Sequence, residues 1–125
     1  MGLNKYTSEV KLINHNQQIV FNYLSNFENL GTYLNSGLIE KITEKVPQIK
    51  IVNREPFKTI KIESSGGLPL SFTFWIQLLT VDETRTKMRL TLHAEMSVMI
   101  KMMAGNKLEE GLNQLAETLA KLPYQ

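Results

Sequence analysis

The chain has 125 residues, 42% of them hydrophobic and 21% charged, which is the range of one globular domain and argues against disorder. Fourteen basic residues against twelve acidic ones leave a net charge of +2, and the densest basic stretch, Lys41 to Lys61, is interleaved with Glu40, Glu44 and Glu55, so no nucleic-acid-binding stripe is expected. The absence of cysteine excludes disulfides, thiolate nucleophiles and cysteine metal sites, and it suits a reducing cytoplasm. The start "MGLNKYTSEVKL" is too polar for a signal peptide, and the apolar runs are too short for a membrane span. The expectation is one cytoplasmic domain over residues 1–125, with no stable membrane insertion.

Tyr6, Ser8, Val10 and Leu12 alternate with Thr7, Glu9 and Lys11, the period of two that marks a half-buried strand. In "NHNQQ", Asn14 or Asn16 can cap a helix that starts at Gln17 and buries Val20, Leu24 and Phe27, with Phe21 beside them. "SNFENLGTYL" breaks that helix near Ser25 and Asn26, and a second short helix follows, burying Leu30, Tyr33 and Leu34. Leu38, Ile39, Ile42 and Val46 fit a helical face and an irregular strand about equally, and Pro47 ends either one. Ile49 and Ile51 begin a strand, "NREP" turns the chain, and Phe57 to Ser64 returns with Ile60 and Ile62 buried. "SSGG" is a loop.

The stretch from Leu70 to Val81 is the most apolar. It carries Leu70, Phe72, Phe74, Ile76 and Leu78 on one face and Trp75, Leu79 and Val81 on the other. "DETR" turns into a strand in which Met88, Leu90, Leu92, Ala94 and Met96 alternate with Lys87, Arg89, Thr91, His93 and Glu95, one face buried and the other wet. Leu108, Leu112, Leu115, Ala116, Leu119 and Leu122 then recur every three or four residues, giving a helix that Pro123 stops. Its start, at Ser97 or only near Asn106, turns on Gly105, because glycine inside a helix costs about 1 kcal/mol against alanine. The order of elements predicts an α+β fold, with a curved antiparallel sheet wrapped around a long C-terminal helix.

Three stretches carry a family likeness: "YTSEVKLINHNQQIVFNYLSNFENL", "NREPFKTIKIES" followed by "FTFWIQL", and "KMRLTLHAEM" running into "LEEGLNQLAETLAKLPY". In these the chain resembles the START-like helix-grip superfamily (SRPBCC, related to birch-pollen allergens), and in particular its small bacterial, polyketide-cyclase-like members. The likeness covers nearly the whole chain, but it lies in patterning and turns rather than in chemistry. It departs from the superfamily at residues 35–48, where at most one short strand fits in place of two. The sheet is therefore expected to be shortened by about one to two strands after the two short helices, with a more open cavity and a bared edge.

The resemblance implies a hydrophobic ligand held between sheet and helix. The matching positions are Phe72, Phe74, Ile76, Met88, Leu90, Leu92, Ala94 and Met96 on the sheet, with Met99, Met103, Leu108, Leu112 and Leu115 facing them from the helix. Tyr6 and Tyr33 could orient such a ligand. The plainer alternative is that these side chains fill one another as ordinary core. Four of the six methionines fall in "AEMSVMIKMMAG", where the last strand hands over to the helix, with Met102 expected to be peripheral. Methionine suits both irregular core gaps and adaptable binding walls.

Catalytic candidates are thin. His93 has the polar parity of its strand, His15 falls in a turn, and no second metal ligand stands at metal-binding spacing, so no metal and no cofactor are expected. Glu9, Glu63 and Glu95 could neighbour one another on the outer face, where without burial they would lack the tuned pKa that acid–base work requires. Trp75, Leu79 and Val52 on that face, or the bared edge, could support a homodimer. The leading expectation is binding of a lipid, sterol or polyketide-like molecule without catalysis. A polyketide cyclase-like enzyme and a protein-interaction module with a filled core are the alternatives, and fold alone does not choose among them.

Overall fold

The computed structural model describes residues 2–26, 28–29, 49–64 and 71–124. Among these, six strands and two helices follow in the order β1 (Gly2–Thr7), β2 (Lys11–Ile13), α1 (Gln17–Leu24), β3 (Ile49–Glu55), β4 (Thr59–Ser64), β5 (Ser71–Asp82), β6 (Arg85–Met96) and α2 (Val98–Ala120). The strands form one antiparallel sheet ordered β1-β6-β5-β4-β3, with β2 also pairing β6. The expected α+β architecture is therefore present. The expectations for Phe27, for the second short helix with Tyr33, and for residues 35–48 lie outside the described residues.

The long β5–β6 hairpin is built from the two most regular alternations in the sequence. Phe72, Phe74, Ile76 and Leu78 stand opposite Ala94, Leu92, Leu90 and Met88, and all eight are buried. Lys61, Trp75 and Thr91 stand side by side on the other face. Since side chains alternate strictly, fixing one pair fixes the face of every other. The helices cover the apolar face in two places. α2 packs on β6, β1 and β2, while α1 packs on β5 and β4.

The first strand departs from the expected single alternation. Tyr6 stands opposite Leu92 and Thr7 opposite Thr91, but Lys11 stands opposite Met88 and Ile13 opposite Thr86. Between these pairs the edge chain spends four steps where β6 spends three, which is a β-bulge. One inserted residue turns every later side chain to the other face. Val10 and Leu12, expected to share the buried side with Tyr6, are therefore exposed, and Ile13 is fully buried instead.

Hydrogen bonds hold the bulge. Ser8 donates its N–H to the Leu90 carbonyl (2.8 Å), and its Oγ accepts the Leu90 N–H (2.9 Å) while donating to the Glu9 carbonyl (2.9 Å). The Glu9 N–H is met from the helix by Asn113 Oδ1 at 2.8 Å. Asn113 belongs to a stripe of α2, Glu109–Asn113–Glu117, spaced four residues apart along one face. Glu117 pairs with Lys121 at 3.0 Å, which with the more distant Lys11 lowers its pKa, and Glu109 adds to burial in raising that of Tyr6. The Asn113 hydrogen bond ties the helix to the β1–β2 edge, while Leu108, Leu112, Ala116 and Leu119 on the neighbouring face enter the core.

Asn16 caps α1, its Oδ1 accepting the Gln18 N–H at 2.8 Å. The β3–β4 turn falls at Glu55–Lys58, two residues later than the expected "NREP", because β3 continues through an irregularity at Val52. Phe57 adopts a left-handed backbone (φ 65°) behind Pro56. A non-glycine residue there costs about 1 kcal/mol, but its ring meets Phe21 of α1 edge-on at 5.7 Å. Its carbonyl also accepts a hydrogen bond from Gln17 Nε2. At the chain's far end Tyr124 is buried, donates to the Leu119 carbonyl at 2.6 Å, and packs edge-on against His15 and Tyr23.

Candidate functional site

The inner face of the sheet and the facing stripe of α2 form one apolar surface. Ile60 and Ile62 of β4, Phe72, Phe74 and Ile76 of β5, and Met88, Leu90, Leu92, Ala94 and Met96 of β6 are all buried in one cluster with Leu108 and Leu112 of α2. Leu115 packs against it partly buried. Twelve of the fifteen cavity candidates thus stand in or against this cluster; the others are Met99, Met103 and Tyr33.

Met99 does not face the sheet. α2 runs without a break from Val98 through Gly105, so the phase set by Leu108, Leu112, Ala116 and Leu119 carries back to its first turn. At 100° per residue Met99 falls about 150° from the centre of that stripe. It is 71% exposed, and Met102, expected to be peripheral, is 82% exposed. Met96 sits on the strand before the helix begins, where parity rather than helical phase decides, and it is buried. The side chain of Met103 and all of Tyr33 lie outside the described residues.

Polar groups reach the inner face mainly at its margins. The Ser8 hydroxyl is used by the bulge, Ser64 Oγ bridges the Phe72 backbone, and Thr86 Oγ1 donates to the His15 carbonyl at 2.9 Å. Tyr6 differs from these. Opposite Leu92, it is half-buried against the core, and its hydroxyl makes no hydrogen bond to a described residue. Burial, and secondarily the Glu109 carboxylate, push its pKa above the ordinary 10.0. Tyr6 is thus a neutral hydrogen-bond donor throughout the physiological range.

Among the described residues the outer face holds no acid–base cluster. Glu63 pairs with Lys61 at 3.7 Å and Glu9 with Lys11 at 3.4 Å, and Glu95 stands opposite Leu3 and Ser71, so the three carboxylates do not converge. His93 lies on this face against the Trp75 ring, with centroids 4.6 Å apart, and Lys61 Nζ stands 5.7 Å from the ring on the cross-strand side. Gln77, which accepts from Arg89 and Thr91, intervenes between Trp75 and Leu79. Gln77 with its two donors thus separates Trp75 from Leu79 on this face. Among the described residues no three histidine or acidic side chains converge as a metal site would require, and no helix is long and apolar enough to cross a membrane.

A separate polar groove of about 450 Å³ lies at the opposite end, between the start of α1 and the hairpin tips. It is lined by Asn16, Gln17, Gln18, Phe57, Thr80, Asp82 and Glu83. Sequence reasoning did not single it out, because its walls come from three distant segments. Asn16 Nδ2 donates to the Glu83 carbonyl at 2.9 Å and helps hold those walls together.

No protein-family model and no curated protein matches the chain. Solved structures do match. Norcoclaurine synthase from Thalictrum flavum is similar over 95% of this chain and 91% of its own, with a TM-score of 0.68 at 6% identity. A conserved protein from Geobacillus kaustophilus is similar over 94% of this chain and 93% of its own, with a TM-score of 0.64 at 13% identity. The ZhuI aromatase/cyclase from Streptomyces sp. R1128 is similar over 95% and 87%, with a TM-score of 0.50 at 14% identity. At such identities the likeness concerns fold and not chemistry. An open antiparallel sheet, a long C-terminal helix laid along its first and last strands, and neighbours of this kind together show that the chain has the START-like helix-grip fold.

Proposed function

We propose that the protein binds a hydrophobic small molecule, of lipid, sterol or polyketide-like character, between the sheet and α2, without catalysing a reaction on it. One observation carries this reading. The inner surface is apolar along three strands and the facing helix, and beside it the Tyr6 hydroxyl has no hydrogen-bond partner among the described residues. A mostly apolar site with one or two polar anchors is the usual composition of a small-molecule pocket. An aromatase/cyclase and a norcoclaurine synthase share this fold, so the architecture is compatible with organic ligands of that size. Turnover would call for an ionisable group tuned toward neutrality, whereas the Tyr6 pKa is displaced away from it. We take the protein to act in the cytoplasm, which suits a chain without cysteine.

The test is titration of delipidated protein with a fluorescent fatty acid, a fluorescent sterol and an aromatic polyketide. Saturable binding of one class at one molecule per chain is expected. Tyr6→Phe should weaken it about three- to tenfold, the equivalent of one lost hydrogen bond. No saturable uptake of any class would favour a filled core and refute the proposal.

A further inference from the structure

The three most exposed large apolar side chains among the described residues are Met102, Val98 and Met99, all within five residues at the start of α2. Their exposure is built in. The helix starts two residues after β6 ends at Met96, and helical phase turns Met99 away from the sheet. Scattered apolar exposure is normal, but three such side chains at 71% to 82% exposure on consecutive turns form a patch that water penalises.

Charge indicates what this patch meets. From Ser97 to Lys107 the chain carries Lys101 and Lys107 and no acidic residue. Both lysines are exposed and form no ion pair with a described residue. The acidic positions of α2, Glu109, Glu110 and Glu117, begin only afterwards. At the opposite end of the sheet the exposed Leu79 and Val81 lie beside Asp82 and Glu83 instead. One end of the molecule thus joins exposed methionine and valine to two exposed lysines with no ion-pair partner among the described residues, with Glu95 the acidic side chain at the adjoining strand end. Apolar side chains flanked by lysine are the composition that seats a helix in the headgroup layer of an anionic membrane.

We propose that the first turns of α2, through Val98, Met99, Met102, Lys101 and Lys107, dock the protein reversibly on an anionic lipid surface. The contact is peripheral, since α2 continues into the core of the domain through Leu108 and Leu112. A carrier whose cargo dissolves in membranes must collect and release it there, and this patch adjoins the Met96 end of the proposed binding surface. The inference rests on the ligand-binding reading for its purpose, but not for the contact itself.

Sedimentation with vesicles of phosphatidylglycerol and phosphatidylcholine, against phosphatidylcholine alone, tests it. Binding to the anionic vesicles, weakened by salt, is expected. The double variant Met99→Glu, Met102→Glu should bind at least about tenfold less, and Lys101→Glu with Lys107→Glu should abolish the preference for phosphatidylglycerol. All four side chains are exposed, so the variants should keep the wild-type circular dichroism and Tm. Absence of vesicle binding, or binding that ignores these substitutions, overturns the proposal. So does a wild-type dimer that Met99→Glu, Met102→Glu converts to monomer, which would make a second copy the occupant. Uptake of hydrophobic probes measured without vesicles separates this outcome from the fate of the ligand-binding reading.

Discussion

Ser8 offers the sharpest test of how the edge of the sheet is made. The bulge between Thr7 and Lys11 places the Ser8 hydroxyl, in place of a strand carbonyl, as acceptor of the buried Leu90 N–H at 2.9 Å. Ser8→Ala removes little volume but strands that amide in the core, where no water replaces the lost acceptor. A buried donor left unsatisfied costs about 1–3 kcal/mol. For a domain of this size the cost corresponds to a Tm lowered by roughly 4–15 °C. Urea unfolding followed by circular dichroism gives the free energy, and amide hydrogen exchange of Leu90 localises it. Ser8→Thr keeps the hydroxyl and should retain more of the stability and of the Leu90 protection than alanine does. Leu12→Ala, on an exposed side chain in the same edge, should cost no more than about 0.5 kcal/mol. If Ser8→Ala is as benign as Leu12→Ala, or if Leu90 protection survives it, the hydroxyl does not hold the bulge and the argument fails.

At Phe57, alanine loses the ring contact with Phe21 but keeps the left-handed backbone, whereas glycine loses the ring and relieves the strain. Phe57→Gly should therefore be more stable than Phe57→Ala by about 1 kcal/mol in urea unfolding, and an alanine variant at least as stable as glycine would refute the strain. Tyr6, raised above 10.0 by burial and by Glu109, should appear as a late step in the alkaline absorbance titration that Tyr6→Phe removes and Glu109→Gln moves to lower pH. Because the folded value exceeds the unfolded one, its contribution to stability is complete below pH 10.0 and is lost as pH rises through the folded value. Asp82 works in the other direction. Hydrogen bonds from Arg85 and Thr84 lower its pKa from 3.8 to about 2, so its contribution is present above 3.8 and disappears as pH falls through about 2. Any stability gap between wild type and Asp82→Asn at pH 7 should close near pH 2, and a gap that persists there would show that the ion pair is not its source.

Much of the candidate site could be read without coordinates because it sits on the longest regular alternations. In β5 and β6 a period of two fixes the face of each residue, so Phe72 through Leu78 and Met88 through Met96 could be assigned inward correctly. A three-to-four spacing did the same for Leu108, Leu112, Ala116 and Leu119. Local periodicity suffices wherever an element is uninterrupted, since its geometry repeats identically at each step.

The tertiary structure decided whatever depends on a phase shift or on distant partners. The bulge that exposes Leu12 and buries Ile13 is defined by the register against β6, and no residue of "SEVK" announces it. The exposure of Met99 follows from α2 passing unbroken through Gly105, a choice between two starts that glycine propensity alone leaves open because packing outweighs about 1 kcal/mol. The outer face is polar around Trp75 because β4 and β6 bring Lys61 and His93 against the ring, residues 14 and 18 positions away along the chain. A sequence carries its local periods openly, whereas register, phase and the company a side chain keeps belong to the folded chain, where contacts between distant segments set the balance of free energy.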